Sequence, residues 1–225
     1  RFPGKPLFAI CGKPMIQHVW ERCCQAVGIN NVYVATDDLR IKEKVLSFGG
    51  QVVMTSSNCL TGTDRLAEAN LQLDLDFIIN VQGDEPLINP ADINIVIKEF
   101  LRTGNVTNAM CAIKSEKEFR SLTVPKVVFS QSNKLLYISR GCIPLSKNGE
   151  YEFGFKQVCI YAFSKKHLEF FYSSKTKSYH EQVEDIEILR FLESDYRIDM
   201  VELESDSLAV DVPDDIFFVE QMIKR

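Results

Sequence analysis

The stretch Asp76-Phe77-Ile78-Ile79-Asn80-Val81-Gln82-Gly83-Asp84-Glu85-Pro86 decides the fold. Its first half is an apolar run with little polar alternation, the pattern of a strand covered on both faces in an α/β sheet. Its second half stops that strand on a Gly-containing polar turn, and Asn89-Pro90 then opens a helix. The same order repeats upstream. Met15, Ile16, Val19, Trp20, Cys23 and Val27 recur at helical spacing, and Gly28 ends that run. Residues 31–36 (NVYVAT) read as a strand, 38–48 as a helix stopped by Gly49-Gly50, 51–55 as a strand and 62–73 as a helix. Strands alternating with helices predict βαβ units, hence an α/β fold with a mainly parallel sheet.

Downstream the pattern changes. Residues 107–113, 126–129, 135–138 and 155–163 read as strands with few helices between them. The end returns to alternation, with a helix over 183–192, strands over 198–202 and 208–210, and a last helix from Pro213. No repeat or linker interrupts the chain. The expectation is one domain over 1–225, with a β-rich insertion over roughly 107–172.

The composition, 45% hydrophobic and 25% charged over 225 residues, suits a packed domain. The net charge of -5 and the lack of a Lys/Arg run weigh against nucleic acid as a partner. No apolar run approaches the ~20 residues of a membrane span, so membrane insertion is not expected. The seven cysteines form no CxxC pair. They read as reduced thiols in a reducing compartment, which predicts a cytoplasmic protein. The chain opens on Arg1-Phe2-Pro3-Gly4-Lys5, without a Met or a strand, and reads as cut.

Several groups carry chemistry. Arg1 and Lys5 place two cations on a turn stiffened by Gly4 and its flanking prolines, which can hold a polyphosphate or be a solvated turn. Asp84, beside a glycine at the carboxyl end of a strand, stands where ligands bind in α/β sheets, and a carboxylate there suits Mg²⁺ shared with phosphates. Asp211 repeats that placement after Leu208-Ala209-Val210, and it equally suits a helix N-cap. Thr61-Gly62-Thr63-Asp64-Arg65 enters a helix, as a nucleotide contact or as a plain capped start. Arg140 ends a strand and can pair with a substrate carboxylate or make a structural ion pair. Glu184, Asp185, Glu187 and Arg190 read by default as a solvated, salt-bridged helix face. The three histidines, His18, His167 and His180, lack metal-like spacing.

Taken together these segments resemble the 3-deoxy-manno-octulosonate (Kdo) cytidylyltransferase family. The matching stretches are RFPGKPL at 1–7, GKPMIQHV at 12–19, VYVATDD at 32–38, TGTDRLAEA at 61–69, NVQGDEPLI at 80–88, PKVVF at 125–129, YISRGCIP at 137–144, IYAF at 160–163 and AVDVPDD at 209–215. The resemblance implies a Rossmann-like nucleotidyltransferase fold with a β-rich dimerisation region, a homodimer, and the use of CTP, Mg²⁺ and an acidic sugar. It also implies that Arg1 and Lys5 bind the triphosphate, that Thr63 and Arg65 lie near the nucleotide, and that Asp84 and Asp211 hold metal. Gln82, Arg140, Tyr161, Glu184 and Glu187 would line the sugar site. An opening strand found in the family would precede Arg1. Two positions depart from the family pattern: Gln157 stands where the family usually has His, and Ile188 where it has Gln. Both bear on which sugar is used, with the 8-amino analogue of Kdo or another nonulosonic acid as alternatives. A non-catalytic nucleotide- or carbohydrate-binding module on the same fold is the competing reading.

Overall fold

The computed structural model describes residues 4–204, 210 and 213–224, with backbone only at 213 and 214. Two short strands, β1 (Ala9–Ile10) and β2 (Lys13–Pro14), form a small hairpin ahead of α1 (Met15–Val27). Then follow β3 (Tyr33–Thr36), α2 (Leu39–Ser47), β4 (Gln51–Met54), α3 (Gly62–Leu73), β5 (Phe77–Val81) and α4 (Pro90–Thr103). The second part comprises β6 (Val106–Ala112), α5 (Glu116–Arg120), β7 (Lys126–Phe129), β8 (Leu135–Ser139), β9 (Phe155–Ser164), α6 (Lys165–Ser173), α7 (Tyr179–Glu184), α8 (Leu189–Glu193), β10 (Ile198–Leu203) and α9 (Pro213–Ile223). Local chemistry starts several helices. The side chains of Asp38, Thr61, Asn89 and Ser115 each accept a backbone N–H in the first turn of their helix.

The α/β class and Rossmann-like arrangement hold, with β3–β4 and β6–β10 parallel. The larger sheet is mixed, because β9 runs antiparallel to β5, β6 and β7. The ten-residue β9 joins the two parts of the chain. One edge pairs with β6, while the other pairs with β7 at its start (Phe155, Lys156) and with β5 further on (Ile160 to Ser164).

The period of two along β9 divides the core. Val158, Ile160 and Ala162 pack with Ile93, Val96 and Phe100 of α4. Tyr161 and Phe163 face the other way, onto Phe171, Leu189 and Phe191. Phe191 is fully buried, and its ring contacts those of Phe163, Phe170, Phe171 and Tyr196. Burial of one such side chain contributes about 1.5–3 kcal/mol.

Among the described residues β3 pairs only with β4, and β5 only with β9. Their remaining edges line a cavity of about 1190 Å³. Tyr33 through Thr36 and Phe77 through Val81 all contribute to it, odd and even residues alike, so the walls are strand edges and not strand faces. Apolar residues of α1 (Val19, Trp20) and α3 (Leu66, Ala69) line it as well. A strand laid there would find hydrogen-bonding edges on both sides and apolar helix surface around it.

The helix expected over 183–192 is instead two short ones. α7 closes at Asp185, which takes the left-handed conformation (φ 52°), and α8 starts at Leu189. Asp tolerates that region because its short polar side chain bonds locally. The strand expected over 208–210 lies outside the described residues apart from Val210. Among the described residues no helix is long and apolar enough to cross a membrane.

Candidate active site

At the carboxyl ends of β3 and β5, termed its mouth, the cavity is lined by Asp37 and by Gln82-Gly83-Asp84. This is the end at which α/β sheets present ligand-binding turns. Lys5 reaches it from a 3₁₀ turn (Lys5–Leu7) entered through Gly4, which has φ 71°. Glycine adopts that conformation without steric cost. Lys5 Nζ donates to Asp84 Oδ2 at 2.8 Å and to the Val210 carbonyl at 2.8 Å. The Val210 N–H donates to the Asp84 carbonyl at 2.9 Å. The C-terminal segment is thereby stitched to the turn after β5.

Asp84 Oδ1 is buried and has no hydrogen-bond partner among the described residues. Desolvating a carboxylate oxygen without a partner is costly, so this atom is poised for a ligand. Gly83 also packs closely on α1: a Cβ there would stand 3.0 Å from Ile16 Cδ1. The Gln82 backbone N–H donates to the Cys159 carbonyl at 3.4 Å.

Arg65 also stands at the mouth. Its Nη1 lies 3.2 Å from Asp37 Oδ1 and donates to Thr55 Oγ1 at 2.7 Å. Thr61 caps α3, and Thr63 sits fully buried in its first turn. The Thr63 N–H donates to Glu187 Oε2 at 2.9 Å. Thr63 Oγ1 and Glu187 Oε1 are both buried without partners among the described residues. Burial raises the Glu187 carboxyl above its ordinary range, against the hydrogen bond from the Thr63 N–H that lowers it. Tyr161 lies opposite Asn80 on β5 and Asn108 on β6. Burial, with Cys159 and Glu187 close by, holds its phenol well above the ordinary range, so it stays neutral.

Arg140 and Glu184 form a second group. Glu184 accepts from Ser139 Oγ at 2.6 Å and from the Arg140 N–H at 2.8 Å. The Arg140 guanidinium donates to the carbonyls of Glu184 (2.6 Å), Leu122 (3.1 Å) and Asp185 (3.2 Å). Among the described residues it is therefore held by backbone carbonyls, without the structural ion pair that was one reading of its sequence position. Lys126 Nζ, buried behind it, donates to the carbonyls of Ser121, Val124 and Arg140.

Lys5, Arg65, Gln82 and Asp84 thus line one cavity mouth, Thr63 meets Glu187, and Arg140 meets Glu184. Arg1 and Asp211 lie outside the described residues. The sequence reading of Glu184, Asp185, Glu187 and Arg190 as a solvated, salt-bridged helix face is overturned for Glu187 and Arg190, while Asp185 is exposed and paired with Lys177 as that reading expects. Arg190 is 2% exposed and paired to Asp64 and Glu181, and Glu187 carries a buried oxygen. Residues missed were Glu181 and Asn80, whose Nδ2 is buried without a partner among the described residues, while Asp64 stood within the Thr61–Arg65 turn without a role of its own. Only Asn80 left a signal, as the polar residue inside the apolar run Phe77–Val81.

Among the described residues no three His, Cys, Asp or Glu side chains cluster as a metal site. The donor chemistry nevertheless fits Mg²⁺, because Asp84 Oδ1 is a hard oxygen without a protein partner.

The cytidylyltransferase family model matches residues 1–198. The 3-deoxy-manno-octulosonate cytidylyltransferase 2 of Hydrogenovibrio crunogenus is 42% identical over 231 residues, covering 99% of this chain and 93% of that protein. The 8-amino-3,8-dideoxy-manno-octulosonate cytidylyltransferase of Shewanella amazonensis is 43% identical, covering 100% and 94%. Among solved structures, a CMP:2-keto-3-deoxy-manno-octonic acid synthetase complexed with CTP superposes with a TM-score of 0.91 at 38% identity, over 100% of this chain and 93% of that one. With the strand-end turn, its Lys5–Asp84 pair and the shared fold all in agreement, the chain belongs to the 3-deoxy-manno-octulosonate cytidylyltransferase family.

Proposed function

We propose that this protein transfers CMP from CTP to the anomeric hydroxyl of a 2-keto-3-deoxy sugar acid, Kdo first, and releases pyrophosphate. The observation that carries the reading is the Lys5–Asp84 pair at the cavity mouth, with Asp84 Oδ1 left open for a ligand. The sugar hydroxyl attacks the α-phosphorus in line, and the bond to the bridging oxygen of pyrophosphate breaks. Lys5, joined by Arg1, offsets charge on the leaving group, where preorganised cations act most strongly. Arg65 and Thr63 face the nucleotide. Glu187, Tyr161 and Gln82 orient the sugar, and Arg140, supported by Glu184, borders it. Asp84 and Asp211 would hold Mg²⁺, which when bound polarises phosphate oxygens and lowers the pKa of the attacking hydroxyl.

One observation favours a second sugar. The 8-amino-Kdo enzyme of Shewanella amazonensis is as similar as the Kdo enzyme, at 43% against 42% identity. The 8-amino analogue is therefore the second acceptor to test. We place the working protein in the cytoplasm, as a homodimer formed through the β-rich region. Leu122, Leu136 and Phe153 support that surface, since all three are apolar and exposed.

Pyrophosphate release measured with CTP, Kdo and Mg²⁺, then with the metal chelated, tests the chemistry. Turnover that stops with the chelator and returns with Mg²⁺ is expected. Metal-independent turnover contradicts the role given to Asp84 and Asp211, and CTP binding indifferent to Mg²⁺ without turnover favours a binding module.

A further inference from the structure

Arg190 is the largest fully buried side chain among the described residues. Its Nε and Nη2 donate to Glu181 at 2.7 and 2.6 Å, and its Nη1 donates to Asp64 Oδ1 at 2.8 Å. The guanidinium carbon sits 3.7 Å over the Phe171 ring. One cation thus bridges α7 and the first turn of α3, across 126 positions of sequence. An apolar side chain of similar volume often serves stability there equally well, because desolvating three charged groups costs about as much as their attraction returns. The fork gives direction instead: a planar guanidinium fixes both carboxylates in one geometry.

Asp64 passes that geometry on. Its Oδ2 accepts from Thr61 Oγ1 at 2.7 Å, and its N–H donates back to Thr61 Oγ1 at 3.2 Å. The turn so fixed runs into Thr63, whose N–H is held by Glu187 three residues before Arg190, and into Arg65 at the cavity mouth. Segment 184–190 therefore grips the nucleotide turn at Glu187 and Arg190, and the end of β8 at Glu184.

We propose that Arg190 is a positioning residue for CTP: acting through Asp64, it fixes the Thr61–Arg65 turn at the cavity mouth. The inference rests on the cytidylyltransferase reading of this site. It is tested with two substitutions, Arg190→Lys, which keeps the charge and loses the fork, and Asp64→Asn, which keeps the shape and loses the charge. Each is expected to raise the KM for CTP at least tenfold, with kcat lowered less than threefold and the KM for the sugar acid within twofold of wild type. Since both act through one contact, the double variant is expected to lose no more than twofold beyond the weaker single one. A purely structural Arg190 would lower the melting temperature and the active fraction while leaving the KM for CTP in place. A wild-type KM for CTP in either folded variant, or losses that multiply in the double variant, overturns the proposal. Should Arg190→Lys fail to fold, Asp64→Asn alone decides it. Calorimetric titration of CTP in Mg²⁺ separates the two claims. A wild-type chain that binds CTP but turns over no sugar acid sinks the activity, and the affinity change in the variants still reads the positioning.

Discussion

Asp84 joins two functions in one side chain: Oδ2 holds Lys5, and Oδ1 is left open in a buried setting. Asp84→Asn keeps the shape, so it is expected to lower kcat by a hundredfold or more with an unchanged melting temperature. Steady-state pyrophosphate release and thermal unfolding of the same sample check both halves. Glu187 makes a different prediction. Burial raises its folded pKa above the ordinary 4.5, so folding favours the protonated form. That contribution to stability is complete below about 4.5 and is lost as the pH rises through the raised folded value. Above it the folded chain carries a buried carboxylate at a cost, which glutamine would remove while still accepting from the Thr63 N–H. Glu187→Gln is expected to raise the melting temperature at neutral pH, to lose that advantage in acid, and to weaken use of the sugar. A lower melting temperature at neutral pH would show the carboxylate to be stabilising.

At the scale of elements, β9 and the segment 181–190 organise the molecule. β9 joins the strands flanking the cavity to the β-rich region through one ten-residue run. Phe191 in α8 locks its inner face, so Phe191→Ala is expected to cost about 3–5 kcal/mol by urea unfolding, with a wild-type m-value. The elements legible in the sequence were those written locally. Asn89-Pro90 started α4, Thr61 capped α3, and the apolar run 77–81 formed β5. Asp84 and Lys5 were legible because a strand end and a Gly-Pro turn carry their chemistry in adjacent residues. Segment 181–190 was not. Charges at helical spacing usually face water, and nothing near Arg190 in the sequence announces that Asp64 of α3 will bury it. The carbonyl partners of Arg140 on Leu122, Glu184 and Asp185 were illegible for a similar reason, since tertiary packing sets them. Asp185 broke a helix that its flanking apolar period continued.

For the whole molecule, on the proposed reading CTP would lie at the carboxyl ends of β3 and β5 and an acidic sugar beside Glu187 and Tyr161. The β-rich region would pair two copies of the chain, so sedimentation is expected at twice the 25.7 kDa chain mass. Phe153→Asp would shift the species towards one chain mass. A single-chain mass for the wild type at micromolar concentration would remove the dimer. The reaction at stake is the transfer of CMP to an ulosonic acid. It is tested most directly by phosphorus NMR of the chain with CTP and Mg²⁺, run with Kdo, with 8-amino-Kdo and with no sugar. A new phosphodiester resonance and equimolar pyrophosphate are expected only when one of the two sugar acids is present. CTP left intact with both, or pyrophosphate released at the same rate without sugar, would contradict it.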